Sequence, residues 1–202
     1  MESFAESGTV RADFKETRQL SLLTDAIETE GVLYFAPPDR LVRHTTRPGS
    51  SRVVLHDGRV AIEDETGART FDLGSSEIAR SLIGNLIVLL RGDLPGLRKR
   101  YVIEFSSDGE RWQLDLKPRS KALRAMIEGI RFSGAGRTLE TMETRETNGD
   151  ISLSVFSSVE TQLALTHQEF ERIFSLDLIE NNDASRSSRS SPSPSSRAPA
   201  NP

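Results

Sequence analysis

The sequence predicts a mainly β protein with helices, built as an antiparallel sandwich or barrel. Three observations predict it. Two Asp-Gly pairs, Asp57-Gly58 and Asp108-Gly109, each join short runs of alternating apolar residues, the signal for a two-residue hairpin. Roughly nine or ten such runs follow one another between turn residues. Only one segment carries a long helical pattern.

Taken in order, Gly31 to Phe35 is an aromatic and β-branched run stopped by Pro37-Pro38, and Arg40 to Thr46 runs on to Pro48-Gly49. Arg52 to His56 meets Asp57-Gly58, and Arg59 to Glu63 returns with Val60 and Ile62 alternating. Thr66-Gly67 marks a further turn. Tyr101, Ile103 and Phe105 alternate up to Asp108-Gly109, and Trp112, Leu114 and Leu116 alternate on the return before Pro118. Ile127, Ile130 and Phe132 make another run, bulged or broken at Gly129. Gly134 to Gly136 turns it into Thr138 to Glu146, and Asn148-Gly149 leads into Ile151, Leu153 and Val155.

The exception lies between a helix start at Ser75-Ser76-Glu77 and a stop at Arg91-Gly92 with Pro95 beyond. Ile78, Leu82, Ile83, Leu86, Ile87, Leu89 and Leu90 project to one side, against Arg80, Ser81, Gly84 and Asn85 on the other. An apolar face covering roughly half the circumference fits a helix packed deeply on the sheet, or one closing an apolar cavity. Near the end, Thr166-His167-Gln168-Glu169 has capping-box spacing and opens a short helix through Phe174, seated by Leu163, Leu165, Phe170 and Ile173.

The 202 residues can bury a real core, yet the apolar share is only 36% and the net charge −4. Part of that deficit is local. Asn181 to Pro202 holds eight serines, four prolines and three arginines, and no apolar residue larger than alanine. Such a stretch reads as a disordered tail, which leaves 1–180 as the folded domain. Three arginines against Asp183 give the tail +2 and the body −6, which argues against a general nucleic-acid binder. The absence of cysteine excludes a disulfide framework, thiolate zinc sites and cysteine catalysis. No run approaches the length of a membrane span. Met1 to Lys15 is polar and acidic, without the basic and apolar regions of a signal peptide.

Chemistry-bearing patterns are scarce. His44 falls in a strand, His56 abuts a hairpin and His167 lies near a helix start, with no metal-ligand spacing among them. Nucleophile-elbow, phosphate-loop and dinucleotide motifs are missing, and Gly134-Ala135-Gly136 is a strand-to-strand turn. Glu140, Glu143 and Glu146 read as a solvated face, and Arg91-Gly92-Asp93 as a helix cap followed by a loop. Catalytic residues, cofactor and metal are therefore expected to be none. What remains is a sheet with one apolar face, filled by its own side chains or left hollow for a ligand.

Phe14-x-x-Thr17-Arg18, then Gly31-x-Leu33-x-Phe35-x-x-Pro38-x-x-Leu41, then Pro48, then Asp57-Gly58 before a short apolar strand follow one another in order. Together they resemble LolA, the periplasmic carrier of outer-membrane lipoproteins. Leu90-x-Gly92-Asp93, Tyr101 to Phe105, Trp112-x-Leu114-x-Leu116-x-Pro118-Arg119 and Gly149-Asp150 are closer to a divergent LolA-related branch. That branch is often found beside genes for aryl-polyene or fatty-acid-like products.

The resemblance runs from about Val10 to about Ser157. It implies a LolA/LolB-like fold, an incomplete antiparallel β-barrel (half-barrel) of about eleven strands with an α-helical lid. The concave face would bind the acyl chains of a lipoprotein or lipid client. Leu33, Phe35, Leu41, Val53 and Leu55 would line it from the first strands, Phe105, Trp112, Leu114 and Leu116 from the later ones, and Ile83, Leu86, Ile87 and Leu90 from the lid. The implied setting is a Gram-negative periplasm, with a monomer working between an inner-membrane donor and an outer-membrane acceptor, and no catalysis. An interaction or sensor module with a self-filled half-barrel is the alternative, as is an accessory protein of the neighbouring lipid pathway.

Three departures accompany the resemblance. Pro37 stands where the family carries the arginine that latches the lid, with Arg40 and Arg43 as the nearest substitutes. The family's first helix and its leader have little room before Phe14, as in a chain that starts downstream of the original start. The serine-arginine tail is foreign to the family.

Overall fold

The computed structural model describes residues 8–72 and 93–175. They form one antiparallel sheet of eleven strands. The first six are β1 (Val10–Gln19), β2 (Ile27–Ala36), β3 (Arg40–Arg47), β4 (Ser51–His56), β5 (Arg59–Asp64) and β6 (Gly67–Asp72). The other five are β7 (Tyr101–Asp108), β8 (Arg111–Pro118), β9 (Ile127–Ala135), β10 (Thr138–Glu146) and β11 (Ile151–Glu160). Their spatial order is β6-β5-β4-β3-β2-β1-β11-β10-β9-β8-β7, two meanders joined where β1 pairs with β11. The sheet stays open, with β6 and β7 at its edges, and is the half-barrel that the resemblance implies. Three short helices accompany it: α1 (Leu94–Arg100), α2 (Lys121–Arg124) and α3 (His167–Phe174).

The hairpins fall where the turn residues place them. Asp57 and Gly58 take φ 49 and 73 between β4 and β5, and Gly109 takes φ 61 between β7 and β8. The irregularity expected at Gly129 is a shift of register, in which Arg145 pairs with Gly129 and the adjacent Glu146 with Ile127.

Other elements depart from the sequence pattern. β1 carries charge at half of its positions, yet it occupies the centre of the sheet. Only Ala12 and Phe14 along it are buried, so the usual apolar alternation is diluted. Gly67 opens β6 rather than ending a turn. Pro95 stands in the first turn of α1, and Asp93 is the N-cap, its carboxylate accepting from the Gly96 N–H at 2.9 Å. Ile151, Leu153 and Val155 alternate like a core strand, but Leu153 and Val155 are exposed; among the described residues α3 packs mainly on β3 and β4. The helix expected between Ser75 and Arg91, and the tail 181–202, lie outside the described residues.

The two faces of the sheet carry separate cores. On the outer face α3 packs Phe174, Phe170 and Ile173 over Ala36, Val42, Val54 and Ala61. Its start has the expected capping box, in which Thr166 accepts from the Glu169 N–H and Glu169 accepts from the Thr166 N–H. Its last carbonyls, those of Arg172 and Ile173, accept from the Arg52 guanidinium at 3.1 and 2.7 Å. Arg40 lies 5.0 Å from the Phe170 ring centre, on this outer face.

Candidate functional site

Directly paired residues of a ladder share a face, so the register alone assembles the inner surface. One row crosses the first meander as Phe71, Val60, Leu55, Leu41, Phe35 and Val10. Beside it run Ile62, Val53, Arg43, Leu33 and Ala12. In the second meander one row reads Phe105, Leu114, Phe132 and Met142, and the next Ile103, Leu116, Ile130 and Thr144. Apart from Ala12, Arg43, Phe105 and Thr144, these side chains form a single apolar cluster that takes in Leu97 of α1 and Leu123 of α2, so two short helices close part of the inner face. Of the residues expected to line a cavity, Leu33, Phe35, Leu41, Val53, Leu55, Phe105, Trp112, Leu114 and Leu116 all stand on this face. Ile83, Leu86, Ile87 and Leu90 lie outside the described residues.

Within that set the environments differ. Leu114 and Leu116 are enclosed, whereas Phe105, on the edge strand, is 60% exposed. Trp112 lies flat across Gly134, where an added Cβ would come within 2.7 Å of its ring, and its indole N–H donates to the Gly136 carbonyl at 3.1 Å.

Apolar rows give way to polar ones at the centre of the sheet. The Leu114 row continues through Met142 to Ser154 and Glu16, and the Leu116 row through Thr144 to Ser152 and Arg18. These polar residues open into a cavity of about 460 Å³, shared with Glu146 and walled on its apolar side by Met126, Ile127 and Met142. Arg18 pairs with Glu146 at 3.2 Å and with Asp150 at 3.8 Å. Glu16 accepts from the Ser154 hydroxyl at 3.1 Å and faces the Arg43 guanidinium at 3.4 Å. Arg43 is itself stacked 4.4 Å from the Phe14 ring centre and donates to the Thr29 hydroxyl. It is therefore Arg43, and not Arg40, that faces inward.

Asp150 anchors the rim of this cavity. Its carboxylate accepts from the Ser21 backbone N–H at 2.8 Å and the Ser21 hydroxyl at 3.1 Å. The Ser21 N–H, then the Ser21 hydroxyl and the Arg18 charge, hold it below the usual carboxylate range against the opposing effect of burial. Next along the chain Leu22 projects almost wholly into solvent, 95% exposed. A carboxyl depressed in the folded state stabilises the fold above its unfolded value of about 3.9, and that stabilisation is lost as pH falls toward the folded value. Thermal midpoints measured downward from about pH 4 should therefore fall less steeply for Asp150→Asn than for the parent. Equal slopes would remove Asp150 from acid stability.

One further cluster escaped the sequence reading. Asp39 in the β2–β3 turn, His56 and Asp57 bring ligand-type atoms within 4.8 Å of one another, a mixed imidazole–carboxylate set of the kind that could take a divalent cation. Linear spacing hides it, because Asp39 reaches His56 only through the β3–β4 pairing.

An open antiparallel half-barrel with an apolar cluster on its inner face defines the structural class. This chain belongs to the LolA-like outer membrane lipoprotein carrier family, whose model matches residues 1–173. No curated protein matches it. Among solved structures, a LolA superfamily protein from Nitrosomonas europaea aligns over 87% of this chain and 97% of its own, at 9% identity and TM-score 0.44. A DUF1329 family protein from Desulfovibrio piger aligns over 87% and 93%, at 11% identity and TM-score 0.47. A chain of the Pseudomonas aeruginosa MucA/MucB complex aligns over 83% of this chain and 56% of its own, at 14% identity and TM-score 0.46.

Proposed function

We propose that this protein is a periplasmic carrier whose inner face holds the acyl chains of a lipoprotein or lipid and delivers it toward the outer membrane. The observation that carries this reading is the single apolar cluster on the inner face, which reaches from Phe71 on one edge strand to Ile103 on the other. Burial of each methylene contributes about 0.8 kcal/mol, so one acyl chain along such a face binds without any covalent step. Donor and acceptor would sit in the inner and outer membranes. No cofactor enters, no bond is made or broken, and the working unit is the monomer with 1–180 as its domain.

A second reading rests on a different observation. Val60, Leu116 and Phe132 are completely enclosed, as expected of a half-barrel filled by its own side chains and working as an interaction module. Native mass spectrometry of the purified protein, with and without an acylated peptide, separates the two. The carrier reading expects a retained lipid or a one-to-one adduct, and it is abandoned if neither forms.

Phe105 provides a sharper version of the same test. Because it is mostly exposed, Phe105→Ala should leave stability within about 0.5 kcal/mol of the parent. If chains lie along the inner face, it should weaken uptake of the acylated peptide severalfold. Unchanged uptake would take Phe105 out of the binding surface.

A further inference from the structure

The cavity at the centre of the inner face differs from the rest of that face in chemistry. On the first meander the paired rows are apolar except for Arg43 and, on the edge strand β6, Arg69, and on β7, β8 and β9 they are wholly apolar. On β1, β11 and β10 the same rows turn into Glu16, Ser154, Arg18, Ser152 and Thr144, with Met142 at the boundary. The open volume of about 460 Å³ that these carboxylates and hydroxyls line has an apolar wall of Met126, Ile127 and Met142, so an amphiphile there meets both kinds of surface.

The sign of the charge there selects among head groups. Among the described residues lining this cavity, Arg18 is the cation, and it is already held by Glu146 at 3.2 Å and approached by Asp150 at 3.8 Å. Arg43, at the neighbouring position, is held by Glu16 and by the face of Phe14. An incoming anion would have to displace carboxylates from both guanidiniums and would meet them again as repulsion. A cation or a hydroxyl meets acceptors: the second oxygen of Glu146, the remaining lone pairs of Glu16, whose two oxygens are shared with Arg43 and Ser154, and the hydroxyls of Ser152 and Ser154.

We propose that this cavity is a head-group subsite selective for an ammonium-bearing amphiphile, the alkyl chain leaving over the apolar wall of Met126, Ile127 and Met142 and the ammonium between Glu16 and Glu146. It rests on the carrier reading and adds to it the chemical class of the cargo.

The test is displacement of N-phenyl-1-naphthylamine, a neutral apolar fluorophore, from the full chain. The competitors are dodecylamine, dodecanol and dodecanoate, each below its micelle concentration. Dodecylamine should compete about tenfold better than dodecanoate, with dodecanol between them. Glu16→Gln and Glu146→Gln should each reduce that ratio several-fold. Glu143→Gln, which removes the same charge from the outer face where Glu143 pairs with Arg145 at 2.7 Å, should leave it unchanged. Circular dichroism of each variant reports whether it has folded, and the ratio in the parent protein decides the question even if a variant has not.

Equal competition by all three compounds would overturn the subsite while keeping the carrier. A ratio that falls equally in Glu143→Gln would also overturn it, by assigning the preference to net charge. Failure of every compound to displace the fluorophore, or of the fluorophore to bind, would remove the carrier reading and the subsite with it.

Discussion

Gly31→Ala should destabilise the protein by about 3 kcal/mol or more, at or beyond the upper end of what overpacking costs. Gly31 sits in β2 with β1 on one side and β3 on the other, opposite Phe14 and Thr45. A methyl group there would run into the backbone carbonyl oxygen of His44 and come within 2.9 Å of the Phe14 ring. A flexible side chain could swing aside, but a ladder carbonyl moves only if β2 and β3 part. Phe14 has little freedom either, because the Arg43 guanidinium is stacked on it. Gly129→Ala is the control: its added carbon would meet only the Leu116 carbonyl oxygen, at 3.3 Å, and a loss below about 1 kcal/mol is expected. Urea unfolding read by Trp112 fluorescence measures both. Similar midpoints for the two variants would mean that the β2–β3 pairing yields locally and that Gly31 is not a packing requirement.

How much of this was legible in the sequence depends on how each residue earns its place. Hairpins marked by Asp57-Gly58 and Asp108-Gly109 could be read because the turn chemistry is local. The inner face of β8 was equally plain, since Trp112, Leu114 and Leu116 alternate with polar residues and need no knowledge of their neighbours. β1 was not legible. Its place between β2 and β11 buries it through pairing on both sides, so it needs little apolar alternation of its own. Leu153 and Val155 misled for the opposite reason: their alternation is real, but it faces an exposed part of the outer surface. The polar cavity depends on register between strands distant in sequence. Glu16 and Arg18 come from one end of the chain, and Ser152 and Ser154 from the other. No spacing rule within either strand announces that they meet.

Phe132→Ala should cost about 3–5 kcal/mol, the range for removing a fully enclosed aromatic side chain. Phe132 is 0% exposed and stands in the inner row between Leu114 and Met142, one step from the polar cavity. Against a total stability of the usual ~5–15 kcal/mol, a loss of this size leaves the variant folded at low temperature and unfolded well below the parent midpoint. The variant also bears on how the inner face is used. In a face filled only by its own side chains, the space vacated by the ring stays apolar and closed, and added acyl ligand leaves the midpoint where it was. In a carrier, the vacated space adjoins the path of the chain. Ligand binding then restores stability by mass action, by about 2.7 kcal/mol at a hundredfold excess over its dissociation constant. Thermal unfolding of Phe132→Ala over a series of acylated-peptide concentrations measures this directly. A midpoint that rises with ligand in the variant and in the parent supports a shared binding face. One that stays flat in both assigns Phe132 to a sealed core and the inner face to structure alone.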